Sequence, residues 1–482
     1  MGELRKQRER SIMRLYDRLY GEITFPGLIN SLLDCPALLR LRDVRMANNQ
    51  FAAFPSFSNT SRYEHSLGVC YLAGICADSL KLSEKDRIEL MMACLYHDVG
   101  TPPFAHAMEE VLQAEYGFDH ENNLRRLVEG TNETYMRSLE QVYLDGTIKL
   151  RSICQSKEGR KLGLDVYRIA KIIVGDKNEP LSMLLNGNGM DLDNIDNVIR
   201  ASSAMGIIEA KDCDLAKRLA SAFIMLEDGG IGYNGLYLQD IKAWQRIRDD
   251  QYTAIFDSVE DFSYQTMIKK ALGILIKNRE SDYRLDENSW KLTDSEILFN
   301  HLLKDIKASK IMKRVLLEKP FRCLTILYIC GDKVASFINT HLFDIEKIAS
   351  AYYADIWGVD MTQYESDVPL VVANYYPDKR KRPIRESVVL MGNKMPIDDA
   401  PSTIQGALLG LFTPIVSCKF KTIILENGEK IRKKGSISGD EIEELMILLR
   451  KEIFSQFEVT IHGKRIDKRN NKETSENQLG FF

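Results

Sequence analysis

The sequence predicts a mainly α-helical core followed by a smaller α+β lobe at the C-terminal end. Apolar residues recur at helical spacing through most of the first 275 residues, and β-rich runs bounded by turn residues follow from about residue 365 onward. The chain has 482 residues, which is enough for two or three compact parts, because single cores seldom grow beyond about 250–300 residues.

Changes in composition predict four parts along the chain. They are a helical core over residues 1–275, a helical extension over 276–365, the α+β lobe over 366–463 and a polar tail over 464–482. The tail is expected to be disordered, because it offers too little apolar surface to offset the entropy that is lost on ordering.

Charge and cysteine usage limit the class of protein. The 65 Lys and Arg residues nearly balance the 69 Asp and Glu residues, and the net charge of -4 provides no overall field toward nucleic acid or an anionic membrane. The nine cysteines form no CxxC pair, which argues against a zinc ribbon or a disulfide scaffold and for a reducing compartment. No apolar run approaches the roughly 18 residues of a membrane span, so we expect a cytoplasmic protein with no membrane partner.

The N-terminal 150 residues are predicted to be almost wholly helical, including the basic segment 1–20. Residues 48–60, rich in Asn, Pro, Ser and Phe, are predicted to form a loop that leads into a helix beginning near Ser61. The next helix has Ser83 as its N-cap and continues as an apolar run to His97.

After residue 275 the sequence predicts two more helices and then the strands of the α+β lobe. Two more helices are predicted between Leu292 and Leu317. Strands are expected at residues 368–373, 387–391 and 420–425. The last of these precedes Asn427-Gly428, a strong hairpin signal, and a final helix is expected over residues 439–457.

Histidines and carboxylates at helix ends indicate a metal site. His97 and Asp98 stand side by side at the end of a helical run, before Gly100 and two prolines. Four of the seven histidines fall close together in the sequence: His65, His97, His106 and His120. Each alone could be an ordinary hydrogen-bonded histidine, whereas four near helix ends indicate a shared site. In the acidic run that follows, Asp191 is predicted to cap a helix and Asp193 to bind the metal.

These residues resemble a known family. Arg62 to Gly68, His97-Asp98 and Asp193 resemble the H…HD…D signature of the HD-domain phosphohydrolases. Neighbouring residues resemble the deoxynucleoside triphosphate triphosphohydrolase branch of that family: Phe54-Pro55, Pro103 to His106 and Met190 to Asp193. The nearest likeness is to vertebrate sterile-alpha-motif and HD-domain dNTPases and their bacterial relatives. It covers residues 15–130 and 165–205 and is thinner to about 330, and no sterile-alpha-motif domain is expected before the helical core.

The resemblance implies an HD-domain core with one divalent metal ion. The predicted ligands, which also form a suitable donor set on chemical grounds, are His65, His97, Asp98 and Asp193. Imidazole and carboxylate ligands suit Mn, Fe, Mg, Zn or Ni, and the sequence does not choose among these ions. Asp98 is additionally predicted to bridge the metal and the attacking water.

The resemblance also implies catalytic and substrate-binding residues. His106 and His120 are predicted to contact phosphate or to transfer a proton to the leaving oxygen, with Glu121 orienting His120. Both histidines could otherwise be loop residues facing solvent. Arg62 is predicted to bind phosphate at its helix start. Arg248 and Tyr252 are predicted to contact phosphate and deoxyribose, although a charged amphipathic helix explains the same residues.

Three positions depart from the family pattern. Thr101 replaces a histidine of the vertebrate enzymes, and Asn194 and Asn197 replace a lysine and a tyrosine that follow the last metal ligand. The predicted function is metal-dependent hydrolysis of a deoxynucleoside triphosphate to deoxynucleoside and tripolyphosphate. The alternatives are an HD phosphohydrolase or phosphodiesterase that acts on another nucleotide, and a catalytically weak nucleotide-sensing or nucleic-acid-binding regulator, which these departures favour.

The family tends to assemble, so we expect a homo-oligomer with a nucleotide substrate. Two basic clusters lie in the α+β lobe, Lys379 to Arg382 with Arg385, and Lys430 to Lys434. They are either solvated loops or sites for an allosteric nucleotide or nucleic acid.

Overall fold

The structure is a computed structural model that describes residues 14–47, 54–129, 149–187, 190–227, 229–331, 333–357, 368–377, 387–390, 393–396, 406–414, 421–424, 430–433 and 439–455. The chain divides into two compact units. Unit 1 comprises Met1–Pro320 with Lys379–Ser402, and unit 2 comprises Phe321–Asp378 with Thr403–Phe482. The four-part division that composition suggests stays a prediction.

Helices dominate unit 1, and the predicted fold class is confirmed. The helices of this unit are α1 (Gly27–Asn30), α2 (Pro36–Arg40), α3 (Pro55–Ser58), α4 (Arg62–Ser79), α5 (Glu84–Tyr96), α6 (His106–Tyr116), α7 (His120–Glu129), α8 (Lys149–Cys154), α9 (Lys157–Leu162), α10 (Val166–Ile173), α11 (Ser182–Leu185), α12 (Leu192–Met205), α13 (Asp214–Ala220), α14 (Leu238–Asp257), α15 (Val259–Lys277), α16 (Asp294–Ile297) and α17 (Ile306–Leu316). A π-helical turn, Leu298–Leu302, follows α16.

Helices α4 and α5 form the centre of unit 1, and both begin where the sequence predicts. The Ser61 hydroxyl accepts the backbone N–H of Glu64, and the Glu64 carboxylate accepts the N–H of Ser61. This reciprocal capping box satisfies two donors that the first turn of a helix leaves unpaired. The Ser83 hydroxyl accepts the N–H of Asp86 at the start of α5. Most of α4 is buried because α5 and α12 both pack against it.

Helix α12 approaches α4 closely at Gly68. A Cβ atom at position 68 would lie 2.1 Å from Asp196 Oδ1 and 2.4 Å from Arg200 Nη2, so a larger residue would displace this buried ion pair. Asp191 is the N-cap of α12 and accepts the N–H of Asn194, as the sequence predicts. The close approach places Asp193, in the first turn of α12, beside the first turn of α4.

The described part of the chain begins with a β-hairpin rather than a helix. Strands β1 (Leu15–Asp17) and β2 (Gly21–Ile23) pair antiparallel, so the expectation of helix in this region is wrong. The Asp17 carboxylate accepts the N–H groups of Leu19 and Tyr20 and thereby stabilises the turn. Gly21 has φ of 73°, which glycine adopts without strain.

Unit 1 also contains a small mixed sheet in the order β3-β4-β7-β8. Its strands are β3 (Phe223–Met225), β4 (Ile231–Asn234), β7 (Ser387–Leu390) and β8 (Asn393–Pro396). Strand β7 pairs parallel with β4, and the other pairs are antiparallel. The strand predicted at residues 387–391 is therefore present.

Unit 2 is an antiparallel sheet covered by helices. Strands β5 (Arg322–Cys330), β9 (Gly406–Thr413) and β6 (Val372–Pro377) lie in the order β5-β9-β6. Helix α18 (Val334–Trp357) packs against β6 and β9, and α19 (Gly439–Glu452) packs against α18. Strand β5 lies within residues 276–365, which the sequence predicts to be helical. The strand was missed because the periodicity of a short apolar run does not distinguish a buried strand from a helix.

The remaining strands form the predicted hairpin. Strands β10 (Lys421–Ile424) and β11 (Lys430–Lys433) pair antiparallel on either side of Asn427-Gly428. The side chains of both basic clusters and the tail over residues 464–482 lie outside the described residues. Within the described part, no helix combines the length and the apolar character that crossing a bilayer requires. None of the eight cysteines in the described part of the chain is in a disulfide.

Candidate metal centre

Three helices of unit 1 bring the predicted metal ligands together. His65 lies in the first turn of α4, His97 is the C-cap of α5, and Asp193 lies in the first turn of α12. One ligand atom from each of these three residues falls within 4.8 Å of the other two. The contact between α4 and α12 spans 128 residues of sequence, so tertiary packing creates the group.

The distances inside this group are short. His65 Nε2 lies 2.8 Å from Asp193 Oδ1 and 3.2 Å from His97 Nε2, and His97 Nε2 lies 3.7 Å from Asp193 Oδ1. Asp98 Oδ2 lies 3.6 Å from His97 Nε2 and 3.9 Å from His65 Nε2. Asp98 therefore lies close to both imidazoles, but it is not part of the group of three residues whose ligand atoms all lie within 4.8 Å of one another.

The outer hydrogen bonds of the two imidazoles fix which nitrogen faces the group. His97 Nδ1 lies 2.8 Å from the Cys94 carbonyl oxygen, which can only accept, so Nδ1 carries the proton. His65 Nδ1 lies 2.8 Å from Asp196 Oδ2 and donates to that carboxylate in the same way. In the neutral form that metal binding requires, both rings would turn an Nε2 lone pair toward the group, where a cation would hold them. The nitrogen and oxygen donors fit a first-row divalent metal.

The electrostatics of the group also favour a cation. Burial lowers the pKa of His65, but its hydrogen bonds to Asp193 and Asp196 outweigh burial and raise the pKa to about 9. Burial likewise lowers the pKa of His97, and the carboxylates of Asp98 and Asp193 raise it above its usual value. Burial raises the pKa of Asp193, but its contacts with the two imidazoles hold it well below the usual range.

Asp98 is held by two neighbours besides the imidazoles. Arg62 Nη1 donates to both carboxylate oxygens at 2.7 and 2.8 Å, and the Thr101 hydroxyl donates to Oδ1 at 3.0 Å. Burial raises the pKa of Asp98, while Arg62 and the imidazoles hold it well below its usual range. Thr101, where the vertebrate family has histidine, thus orients a predicted metal ligand.

A buried charge network supports His65 from behind. Arg200 Nε donates to Asp196 Oδ2 at 2.8 Å, Arg200 Nη2 lies 3.0 Å from Asp17 Oδ2, and the Tyr20 hydroxyl donates to Asp196 Oδ1 at 2.6 Å. Arg200 and Asp196 have no exposed surface. Such outer partners set the tautomer and orientation of a metal-binding imidazole. Asp196 follows Asp193 by three residues, which was a visible signal in the sequence because residues i and i+3 share a helix face.

Glu109 joins the two predicted catalytic histidines. His106 Nδ1 lies 3.1 Å from Glu109 Oε2, and His120 Nδ1 contacts Glu109 Oε1. Burial raises the pKa of Glu109, but the two imidazoles hold it well below its usual range. The side chain of Glu121, the predicted partner of His120, lies outside the described residues. Sequence reasoning missed Glu109, although it follows His106 by one helical turn.

The predicted substrate residues of α14 lie against each other. The Arg248 guanidinium lies 4.9 Å from the centre of the Tyr252 ring, and Arg248 is buried. Helix α14 packs on α12, the helix that carries Asp193. The roles of Arg62, Arg248 and Tyr252 in substrate binding stay predictions.

The comparison with protein families matches one part of the chain. Residues 62–144 match the family described as the HD domain, and this segment includes His65, His97 and Asp98. Asp193 lies beyond the matched segment, and the structure places it beside the two histidines.

Several curated relatives are similar over part of their length. A protein named deoxynucleoside triphosphate triphosphohydrolase SAMHD1 homolog, from Dictyostelium discoideum, is 28% identical over 200 residues, which is 39% of this chain and 36% of the relative. The protein named deoxynucleoside triphosphate triphosphohydrolase SAMHD1 from Homo sapiens is 30% identical over 154 residues, which is 30% of this chain and 24% of the relative. The chain therefore spans about a third or less of the length of these two relatives.

Two solved structures share the fold over most of this chain. A phosphohydrolase from Bacteroides thetaiotaomicron has a TM-score of 0.59 and 16% identity, covering 84% of this chain and 100% of its own. A hypothetical protein from Aquifex aeolicus has a TM-score of 0.58 and 19% identity, covering 84% of this chain and 96% of its own. These identities are low, so the likeness shows a common fold.

Proposed function

We propose that the chain is a metal-dependent hydrolase that cleaves deoxynucleoside triphosphates to deoxynucleoside and tripolyphosphate. The convergence of His65 Nε2, His97 Nε2 and Asp193 Oδ1 within 4.8 Å carries this proposal. The names of the curated relatives support the substrate class, and the HD domain supports hydrolysis of a phosphoester.

The proposed metal ligands are His65, His97, Asp98 and Asp193. When bound there, a divalent ion neutralises phosphate charge and lowers the pKa of a coordinated water. Mn, Fe, Mg, Zn and Ni all accept this donor set, and Asp98 is also proposed to bridge the metal and the attacking water. Arg62, whose guanidinium holds Asp98 at 2.7 Å, presents positive charge at the start of α4 where phosphate would enter.

The proton that the leaving oxygen requires is proposed to come from the histidine pair. His106 is 58% exposed at its side chain and His120 is 35% exposed, so both are open to solvent and substrate. The Glu109 carboxylate between them orients both rings. Arg248 and Tyr252 on α14 are the proposed contacts for phosphate and deoxyribose.

A product analysis tests the reaction. Purified protein is incubated with Mn²⁺ and each dNTP, and the products are separated by chromatography. Deoxynucleoside with inorganic tripolyphosphate supports the proposal. Orthophosphate or a monophosphate would instead support a hydrolase with another cleavage site, and tight binding without turnover would support a nucleotide-sensing regulator, as Thr101, Asn194 and Asn197 would favour.

A matched pair of aspartates tests the metal centre. Asp193→Asn should lower metal affinity by more than about 100-fold and abolish hydrolysis, because loss of a mere outer-shell partner already costs about 10–100-fold. Asp214→Asn is the control, since Asp214 also lies in the first turn of a helix but its side chain is 68% exposed. Metal content by mass spectrometry and turnover are measured for both variants. Equal metal retention in the two variants would contradict the assignment.

Assembly and regulation are further parts of the proposal. A homo-oligomer and a cytoplasmic location are expected from the family likeness, and the basic clusters of the α+β lobe are candidate sites for an allosteric nucleotide or nucleic acid.

Changing Lys381 and Arg382 to Ala should spare basal turnover and alter its activation by added nucleotide. Mass photometry with and without nucleotide measures assembly. An unchanged activation curve would show that the cluster is an ordinary solvated loop.

A further inference from the structure

The loop between α5 and α6, residues 98–105, has a backbone conformation that needs support. Phe104 has φ of 54°, and Ala105 has φ of 46° with ψ of -127°. Residues other than glycine occupy this region at an energetic cost and remain there only where the surroundings fix them. The two strained residues directly precede His106, the first residue of α6, so their conformation sets where that histidine points.

A buried arginine holds the first part of this loop. Arg40 Nη2 donates to the Val99 and Thr101 carbonyl oxygens at 2.9 and 2.7 Å. Its Nη1 donates to the carbonyl oxygens of Trp290 and Leu292 at 3.1 and 2.8 Å. Arg40 is only 2% exposed, and these four bonds tie the loop to the segment that precedes α16.

A buried carboxylate holds the strained end of the loop. Asp294, the first residue of α16, accepts the Phe104 N–H at Oδ1 at 2.8 Å and the Arg45 N–H at Oδ2 at 3.1 Å. It is 5% exposed. The capping box formed by Thr293 and Glu296 fixes this turn of α16. Arg40 thus ties the loop to Trp290 and Leu292, and Asp294 holds the loop from two residues further along the same segment.

The loop has room to move when these bonds are lost. A cavity of about 200 Å³ adjoins Phe104 and Asp294, and apolar side chains form most of its wall, among them Ile268, Leu298 and Met312. A phenylalanine released from Asp294 could relax into this apolar space. Once the hydrogen bond to Asp294 is lost, the side chains around the cavity would therefore not hold the strained backbone in place.

We infer that Arg40 and Asp294 are positioning residues that clamp the loop of residues 98–105 and so orient His106 for catalysis. The inference rests on the proposed function for its catalytic part, because neither residue contacts the metal group. Removing the Asp294 carboxylate should free Phe104 and Ala105 and misplace His106, while the ligands on α4, α5 and α12 stay in place. Misplacing a catalytic group by about 1 Å can lower the rate about 100-fold.

Asp294→Ala and its matched control Asp305→Ala test the clamp. Asp305 is 6% exposed and also accepts two backbone N–H groups, those of Lys307 and Ala308, but it lies away from the loop at the start of α17. Amide hydrogen exchange over residues 98–106 should speed up at least about tenfold in Asp294→Ala and stay unchanged in Asp305→Ala. Asp294→Asn, which keeps the shape and one acceptor oxygen, replaces the alanine variant if that variant does not fold.

Activity and rescue separate positioning from loss of stability. Asp294→Ala should lower kcat roughly 10- to 100-fold with KM and metal content little changed, which uniform destabilisation would not do. Adding Ala105→Gly should recover part of that kcat, because glycine adopts positive φ without strain, and should not improve Asp305→Ala.

Unchanged exchange in both Asp294 variants, or faster exchange with a wild-type kcat, would overturn the inference. The exchange measurement needs no substrate. If the wild-type protein hydrolyses no dNTP, the proposed function fails, and exchange alone then decides whether the clamp exists.

Discussion

Glu109 illustrates how a single side chain can link residues of two different helices. Its two oxygens contact a nitrogen of His106 and a nitrogen of His120, which lie on different helices. Its neighbour Glu110 instead pairs with Lys269 on the adjoining helix face. Two consecutive glutamates therefore have different partners, and only the first touches the proposed proton donors.

These two glutamates provide a matched test of the histidine pair. Glu109→Gln should lower kcat roughly 10- to 100-fold, because an amide can accept through only one of its two side-chain atoms and so cannot orient both imidazoles. Glu110→Gln should leave kcat near the wild-type value. Metal content should be the same in both variants and in the wild type. Equal kcat values for the two variants would remove Glu109 from the mechanism.

The pKa of Asp294 predicts a pH dependence of stability. Burial raises this pKa from 3.8 to about 6, against the opposing effect of its backbone hydrogen bonds. As the pH rises from about 4 to 6, the unfolded chain releases this proton before the folded protein does, so folding becomes less favourable. The stabilising contribution is complete below pH 4 and is lost as the pH passes about 6.

The prediction is best measured as a difference between wild type and Asp294→Asn, because other carboxylates titrate in the same range. Relative to the variant, the wild type should lose about 3 kcal/mol of unfolding free energy between pH 4 and pH 7. Urea denaturation at several pH values gives this difference. Parallel curves for the two proteins would show that Asp294 titrates normally in the folded state.

At the scale of elements, the contact between α4 and α12 holds the metal group together. Helix α4 supplies His65 and α12 supplies Asp193, and the two helices approach each other at Gly68. The buried Asp196 and Arg200 pair fills the space where a side chain at position 68 would lie. Metal binding is therefore expected to depend on the packing at Gly68, which is not itself a metal ligand.

Two glycines of α4 test this contact. Gly68→Ala should lower the free energy of unfolding by about 3 kcal/mol and weaken metal binding, because its Cβ would lie 2.1 Å from Asp196 Oδ1. Gly74→Ala places a Cβ 3.5 Å from Met91 Cε, an ordinary contact, and should raise stability by up to about 1 kcal/mol through helix propensity. Denaturant melts with and without metal measure both effects. A Gly68→Ala protein as stable as Gly74→Ala would contradict the packing described.

For the whole molecule, metal binding should contribute to folding stability. A ligand that binds only the folded state at about 100 times its dissociation constant adds about 2.7 kcal/mol. Chelation should therefore lower the unfolding temperature of the wild type by several degrees and leave that of Asp193→Asn unchanged. Differential scanning calorimetry with and without a chelator measures the shift. An equal shift in both proteins would place the stabilising ion elsewhere.

The sequence predicted the parts of this molecule that local rules determine. The helix starts at Ser61 and Ser83 and the hairpin around Asn427-Gly428 follow from side chains that hydrogen-bond or turn the chain locally. His65, His97 and Asp193 were predicted from the motif they form, and the structure places them together.

Other features depend on packing between segments far apart in sequence. The contacts of Asp294 with Phe104 and of Arg40 with Trp290 span 190 and 250 residues, and no local pattern predicts them. The choice of Glu109 as a partner of His120 also requires the relative placement of two helices. The hairpin at Leu15–Asp17 was missed because its turn depends on one aspartate in a segment whose composition resembles a helix.

Anomalous X-ray diffraction from crystals grown with Mn²⁺ tests the metal centre most directly. The account predicts one strong anomalous peak within bonding distance of His65 Nε2, His97 Nε2 and an Asp193 oxygen, and no peak at that place in Asp193→Asn crystals. A fully occupied manganese peak elsewhere, with none between the two imidazoles, would contradict the account.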